Sequence, residues 1–284
     1  MTGTNVGDLL NAANITWGWF QGGFAPTSSA GGVATCGASS INLSGATVAD
    51  YSPHHQPFQY YASTANPHHL PPSSTFMIGK SDQANHQYDL VNFWQAASSN
   101  RLPEVSFLKA KKAQDGHAGY SSPLDEQIFL VQTLNTLQKL PAWKNMAVII
   151  AYDDSDGWYD HVMPPIVSQS STTADALTGP GSCGPATGVT QQGKCGYGPR
   201  LPLLVISPWA KVNYVDHAIT DQSSILRFIE DNWNLERIGG GSFDERAGSL
   251  LGMFDFRGVD HIRSLFLAPS TGVVLHTTPE EPGN

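Results

Sequence analysis

Met146 to Ala151 is a short, nearly continuous apolar run with β-branched members, and it stops abruptly in acid. Asp153, Asp154, Asp156 and Asp160 fall within eight residues, and His161 follows directly. Such a run predicts a strand buried in a sheet that is covered on both faces, which places the chain in the α/β class. In open α/β sheets ligands bind at the carboxyl ends of the strands. Four carboxylates this close repel one another unless a cation or hydrogen-bond donors offset them, so the pattern points to a divalent metal. By itself, Asp154-Ser155-Asp156-Gly157 also reads as a surface turn, and the strand in front of it is what favours the ligand reading. A calcium-binding EF-hand loop does not fit, because Tyr152 and Met163 stand where that loop needs an Asp and a Glu.

Composition narrows the class further. The chain has 284 residues, enough for one large domain or two small ones, and 40% of them are hydrophobic. No apolar run approaches the ~20 residues that span a bilayer, so no stable membrane insertion is expected. A formal net charge of −9 disfavours a nucleic-acid partner, whose footprint is basic. Only 14% of residues are charged against 28 Gly and 19 Pro, the mark of a chain with long ordered connections. Cys183 and Cys195 bracket a Gly/Pro/Gln-rich excursion, Gly184 to Lys194, which suggests a disulfide closing a surface loop, with two free thiols as the alternative. Cys36 is then left unpaired. The amino terminus has no basic segment followed by an apolar core, so no signal peptide is visible, and the chain is either cytoplasmic or begins inside a longer one.

Along the chain, Thr4 or Asn5 caps a short helix with Val6, Leu9, Leu10 and Ala13 on one face, and Ile15 to Phe20 follows as a strand. Ala25 to Asn85 is a long irregular excursion. Within it, the prolines around His54 and His55 argue for a loop that can turn both imidazoles inward, with a solvated loop whose histidines do nothing as the alternative. His68 and His69, in a similar loop, are assigned no chemistry. Order returns with a helix over Tyr88 to Ala97 and a strand over Glu104 to Ala110. Beyond that strand lies a Gly-flanked His117. Ser122, Pro123 and Asp125 start a long helix with Ile128, Val131, Leu134 and Leu137 on one face. Strand, His117 loop, helix, strand and acidic loop together read as a βαβ crossover with its chemistry at one sheet edge. Leu201 to Ser207 is another buried strand, and Thr220 or Asp221 opens a helix that packs Ile225, Ile229 and Trp233. No internal repeat or second core is evident, so residues 1–284 are read as a single domain.

Neutral imidazoles, paired carboxylates and a metal at one sheet edge suit hydrolysis of a phosphate ester. No Ser or Thr stands in an activated context, and there is no Gly-x-Ser-x-Gly elbow.

These residues carry a resemblance. Gly7-Asp8-Leu9-Leu10, Trp17-Gly18-Trp19-Phe20, His54-His55-Gln56-Pro57-Phe58, Asp115-Gly116-His117-Ala118-Gly119, Tyr152-Asp153-Asp154 and Gly157-x-Tyr159-Asp160-His161-Val162 resemble, in order, the bacterial phosphoesterase family of phospholipases C and acid phosphatases. Gly198-Pro199-Arg200-Leu201-Pro202, Ser207-Pro208-Trp209 and Asp216-His217 continue the match. The resemblance implies an alkaline-phosphatase-like fold, a mostly parallel sheet flanked by helices with long irregular loops. It implies Asp153 and Asp154 as metal ligands and His54, His55 and His117 around the phosphate. Asp160 and His161 are implied either to orient the loop or to contact the site, His217 is read as structural, and His86 and His261 as solvated or core residues. It also implies a Glu-Asn metal pair and a Ser or Thr nucleophile upstream of the Gly-Asp-Leu-Leu segment, which here begins at residue 7. The chain is therefore expected to lack the family's amino-terminal part and to turn over little by itself.

The expected function is that of a metal-dependent phospholipase C-type hydrolase of phosphoric esters. The alternatives are a broad acid phosphatase and a non-catalytic fragment that binds a phosphate-bearing ligand or pairs with itself through an exposed sheet edge. Phe58, Tyr60 and Tyr61 are candidates to hold a choline headgroup. A secreted or periplasmic location is expected of the full-length parent.

Overall fold

The computed structural model describes residues 1–155, 157, 159–162, 164–165, 177–179, 182–183, 197–257 and 264–278. Asp156, Cys195 with its expected bond to Cys183, and His261 lie outside them. By their contacts the residues form two compact units, Met1–Ala147 with Ile206–Asn284, and Val148–Val205.

The first unit starts with helix α1, Val6–Ala12. Asn5 caps it by accepting the Gly7 and Asp8 amides, while Asp8 reaches back to the Asn5 amide, a reciprocal capping box. The helix buries Val6 and Leu10. Gly7 faces Trp17 so closely that a Cβ would sit 2.4 Å from the indole, so only glycine allows this approach. Strand β1, Trp17–Gln21, follows and buries four of its five residues. Trp17 and Phe20 are wholly enclosed, and at about 25 cal/mol per Å² such aromatics dominate the local burial energy.

The next stretch, expected to be irregular, contains two antiparallel hairpins. One pairs β2, Ser28–Ala30, with β3, Val33–Thr35, and the other pairs β4, Ser39–Ile41, with β5, Thr47–Ala49. Gly31 and Gly32, at φ 58° and 79°, make the two-residue turn of the first hairpin, which needs positive φ at both positions. Cys36 forms no disulfide and donates to the Phe24 carbonyl. His69 stacks on the Phe24 ring at 4.1 Å.

Strand β6, Gln87–Asp89, runs straight into helix α2, Leu90–Ser98, and strand β7, Val105–Lys109, comes next. Both β6 and β7 lie parallel to β1, giving a sheet of order β6-β1-β7. Helix α3, Pro123–Leu137, has the expected Ser122 cap and Asp125 capping box and buries Val131 and Leu137.

Strand β8, Val148–Ala151, opens the second unit and pairs with β11, Leu203–Ile206, while β9, Leu177–Gly179, pairs with β10, Ser182–Cys183. Three residues of β8 are half-buried and Ala151 is exposed, so among the described strands β1 is more enclosed than the expected 146–151 run. The reason is that β1 carries large aromatics and has a partner on each side.

Helix α4, Ser223–Trp233, returns to the first unit. Its Ile229 joins Val6, Leu10, Trp17, Phe58 and Val105 in one core, with Ile225 and Trp233 packed alongside. Hairpin β12, Leu265–Leu267, with β13, Val274–Thr277, closes the described chain. The architecture is thus mixed α/β with a parallel sheet flanked by helices, as the resemblance implies. Among the described residues no helix is long and apolar enough to cross a membrane.

Candidate active site

Two loops meet beyond the carboxyl ends of β1 and β7. The first is the 3₁₀ turn Pro53–His55, held by neutral amides. Gln21, the last residue of β1, donates to the Ser52 carbonyl at 2.7 Å. Gln56 is fully buried, accepts from the Tyr51 hydroxyl at 3.0 Å and donates to Gln87 at 3.0 Å. Phe58, three residues past His55, anchors the same turn in the core. The turn is therefore fixed from below by buried hydrogen bonds, each directional and costly to leave unmade.

The second loop follows β7. Gly116 takes φ 86°, and a Cβ there would stand 2.5 Å from a Glu126 carboxylate oxygen, so the Asp115-Gly116-His117 turn requires glycine. The Lys112 amide donates to the Asp50 carbonyl at 3.0 Å, joining this loop to the segment that leads into the histidine turn.

Asp115 links the two loops. Its side chain is 3% exposed, with Oδ2 3.8 Å from His55 Nδ1. The Tyr120 hydroxyl donates to Oδ2 at 3.3 Å and the His117 amide donates to Oδ1 at 3.1 Å. Burial raises the Asp115 carboxyl above its ordinary range, against the lowering pull of the His117 amide, Lys109 and Tyr120. The His117 ring stacks on Tyr120 at 4.3 Å, and its Nδ1 accepts the Gly119 amide at 3.0 Å. In the neutral ring that leaves the proton on Nε2, as a donor.

The expected inward turn of both adjacent histidines holds for one of them. The His55 side chain is only 8% exposed, whereas His54 faces solvent, its ring 4.3 Å from that of His55 and its Nδ1 3.1 Å from Ser52 Oγ. A 3₁₀ turn spaces successive side chains around its axis, so two neighbours cannot both enter the core. His117 is exposed. Asp115 thus meets the His55 ring and the His117 backbone amide, and His54 adjoins this pair through its contact with His55.

Asp153 and Asp154 lie in the second unit, just past β8, and both are exposed. Among the described residues no group of three or more His, Cys, Asp or Glu could hold a metal ion. Asp160 accepts Arg200 Nε–H and Nη2–H at 2.9 and 2.8 Å, and the Arg200 amide besides. Those bonds hold its carboxyl well below the usual range. Asp160 therefore fastens its loop to Arg200, the orienting alternative. His161 packs edge-on against Tyr159, His217 is exposed, and His86 is buried flat against Trp17.

Sequence reasoning gave no role to Asp115, Tyr120, Gln21, Gln56 or Gln87. A glutamine between two prolines, and another ending an aromatic strand, were the available signals, since neither belongs in a core without partners.

The phosphoesterase family model matches residues 1–236. Among curated proteins, a non-hemolytic phospholipase C of Burkholderia pseudomallei is 37% identical over 149 residues, 49% of this chain and 20% of the relative. A non-hemolytic phospholipase C of Pseudomonas aeruginosa is 33% identical over 48% of this chain and 21% of its own length. Phospholipase C B of Mycobacterium tuberculosis is 31% identical over 49% of this chain and 26% of its own. The matched segments thus span a fifth to a quarter of these relatives.

Proposed function

The chain belongs to the phosphoesterase family, and on that premise we propose that its histidine cluster binds and helps to hydrolyse a phosphoric ester of the phospholipid type. The observation that carries this reading is the link that Asp115 makes between the His55 ring, with His54 against it, and the His117 loop beyond the ends of β1 and β7. In this proposal His117 Nε2–H donates to a phosphoryl oxygen, and Gly119 keeps the ring from turning away. His55, steadied by Asp115, and the exposed His54 bind the remaining oxygens, and one of them supplies the proton that the departing alcohol needs.

Asp153 and Asp154 offer two hard oxygen donors, the right chemistry for a divalent cation but fewer than the six or so ligands such ions take. The described residues do not complete a metal site. The same two carboxylates remain our candidate ligands. Hydroxyl–imidazole contacts among the described residues include Ser52 with His54 and Ser81 with His86, and in each one partner is buried. In the first the serine is the buried partner, and in the second it is the imidazole that would act as base. Neither pairs an exposed hydroxyl with an accessible base, and we propose that this chain by itself binds esters better than it cleaves them.

The test is hydrolysis and binding of p-nitrophenylphosphorylcholine and p-nitrophenyl phosphate, with divalent metals and with chelator. A choline-ester preference that His117→Ala abolishes supports the phospholipase C reading. Preference for the monoester favours a phosphatase, and binding of neither ester overturns the proposal.

A further inference from the structure

Away from the histidines, two acids are sealed inside the first unit. Glu230, near the end of α4, and Asp244, in the 3₁₀ turn Phe243–Glu245, have no exposed surface. Glu230 Oε2 accepts Arg237 Nη1–H at 2.9 Å, and Asp244 Oδ2 accepts the Ile238 amide at 2.9 Å. Glu230 Oε1 and Asp244 Oδ1 are buried and meet no donor. The two side chains stand within hydrogen-bonding reach of each other. Two acceptors cannot bond, and two bare carboxylates at this range repel strongly in a dry setting. One proton between them satisfies both orphaned oxygens at once. A metal ion does not fit as well, because Arg237 already occupies the other face of Glu230.

The surrounding charges agree. Arg237 bonds both Glu230 and Asp231, and Arg227 lies 3.5 Å from Asp231, so the pair and its neighbours form one chain of charges. That chain holds two guanidiniums and three carboxyls, and a single proton makes it neutral.

We propose that Glu230 and Asp244 share one proton, Glu230 as the acid and Asp244 as the carboxylate, and that this bond latches the 234–246 segment to α4 until rising pH removes it. The segment needs such a latch. Gly239, Gly240 and Gly241, at φ 74°, 64° and 88°, lie between the residues it fastens and offer no side chains to pack. Ile238, whose amide Asp244 holds, packs against the core that includes Phe58, so the latch and the histidine turn rest on one foundation.

Burial, reinforced by Asp244, lifts Glu230 to about 7. Burial also acts to raise Asp244, but hydrogen bonds from Ser242, the Ile238 amide and Glu230 outweigh it and hold that group low. The folded chain keeps the Glu230 proton over a range where the unfolded chain has lost it. Stability from this source is therefore complete below the ordinary Glu value, falls as pH rises toward 7, and is level above.

Melting temperature measured between about pH 5 and about pH 8 tests the latch without any need for activity. Glu230→Gln keeps a donor for Asp244 and an acceptor for Arg237 at every pH. The native chain should fall by about 5 °C or more relative to Glu230→Gln across that range. Parallel curves, or a folded Glu230→Gln chain that melts below the native one at the alkaline end, overturn the proposal. Should that variant fail to fold, the infrared carbonyl band of a protonated carboxyl decides. It is expected in the native chain near neutral pH and lost in Asp244→Asn, and its absence from the native chain is equally fatal.

Discussion

Asp115 shows how one side chain can matter more to a site than to a fold. Its carboxyl is raised by burial, so the ionised form is the one the fold tolerates less well. The sign follows: whatever stability Asp115 adds is present at low pH and declines as pH rises through its folded value. Asp115→Asn keeps the acceptor for the His117 amide and removes the buried charge. It should be at least as stable as the native chain near pH 8 by urea melts, yet bind phosphoric esters about fivefold more weakly, the ~1 kcal/mol of a lost ion pair. Equal loss of both would make Asp115 merely structural. The histidines themselves were legible because their types and flanking residues are local facts. Asp115 was passed over in the same quoted motif, since its partner His55 lies far back in the chain. The Glu230–Asp244 pair escaped for a similar reason, as nothing in a helical Glu announces complete burial.

The elements that sequence located best are those with local start signals. Asn5 and Ser122 both cap the helices assigned to them, and each has its acid three positions on. Ser122→Ala should therefore cost about 1 kcal/mol, read as a lower urea midpoint with an unchanged slope, because the Asp125 amide loses its acceptor. An unchanged midpoint would mean that the neighbouring Asp125, which also holds the Leu43 amide, fixes the helix start unaided. Strand β6 was absorbed into the helix after it because its three residues, Gln87 to Asp89, show no alternation, and only pairing with β1 makes them a strand. The hairpins between residues 28 and 49 were equally silent, as most of their residues are exposed and small. The apolar run at 146–151 was overweighted, because hydrophobicity alone cannot tell which strand of a sheet is enclosed.

At the scale of the whole molecule, histidines and acidic pair fall in different compact units, so each half of the proposed chemistry can be tested by itself. Calorimetric titration with manganese, magnesium and calcium should detect a site that Asp153→Asn and Asp154→Asn each weaken while His117→Ala leaves it alone. A titration untouched by both aspartate changes removes them from the ligand set. The glutamines beneath the histidine turn add a property of a different kind. From the Tyr51 hydroxyl to Gln56, from Gln56 to Gln87, and from Gln87 to the Asn85 carbonyl, every link donates in the same sense. Such a relay has a direction, like a row of aligned compass needles, and no single amide can flip without setting donor against donor or acceptor against acceptor on both sides. The turn that presents His54 and His55 is thereby given a handedness of wiring as well as a place, and it carries no net charge for salt to screen.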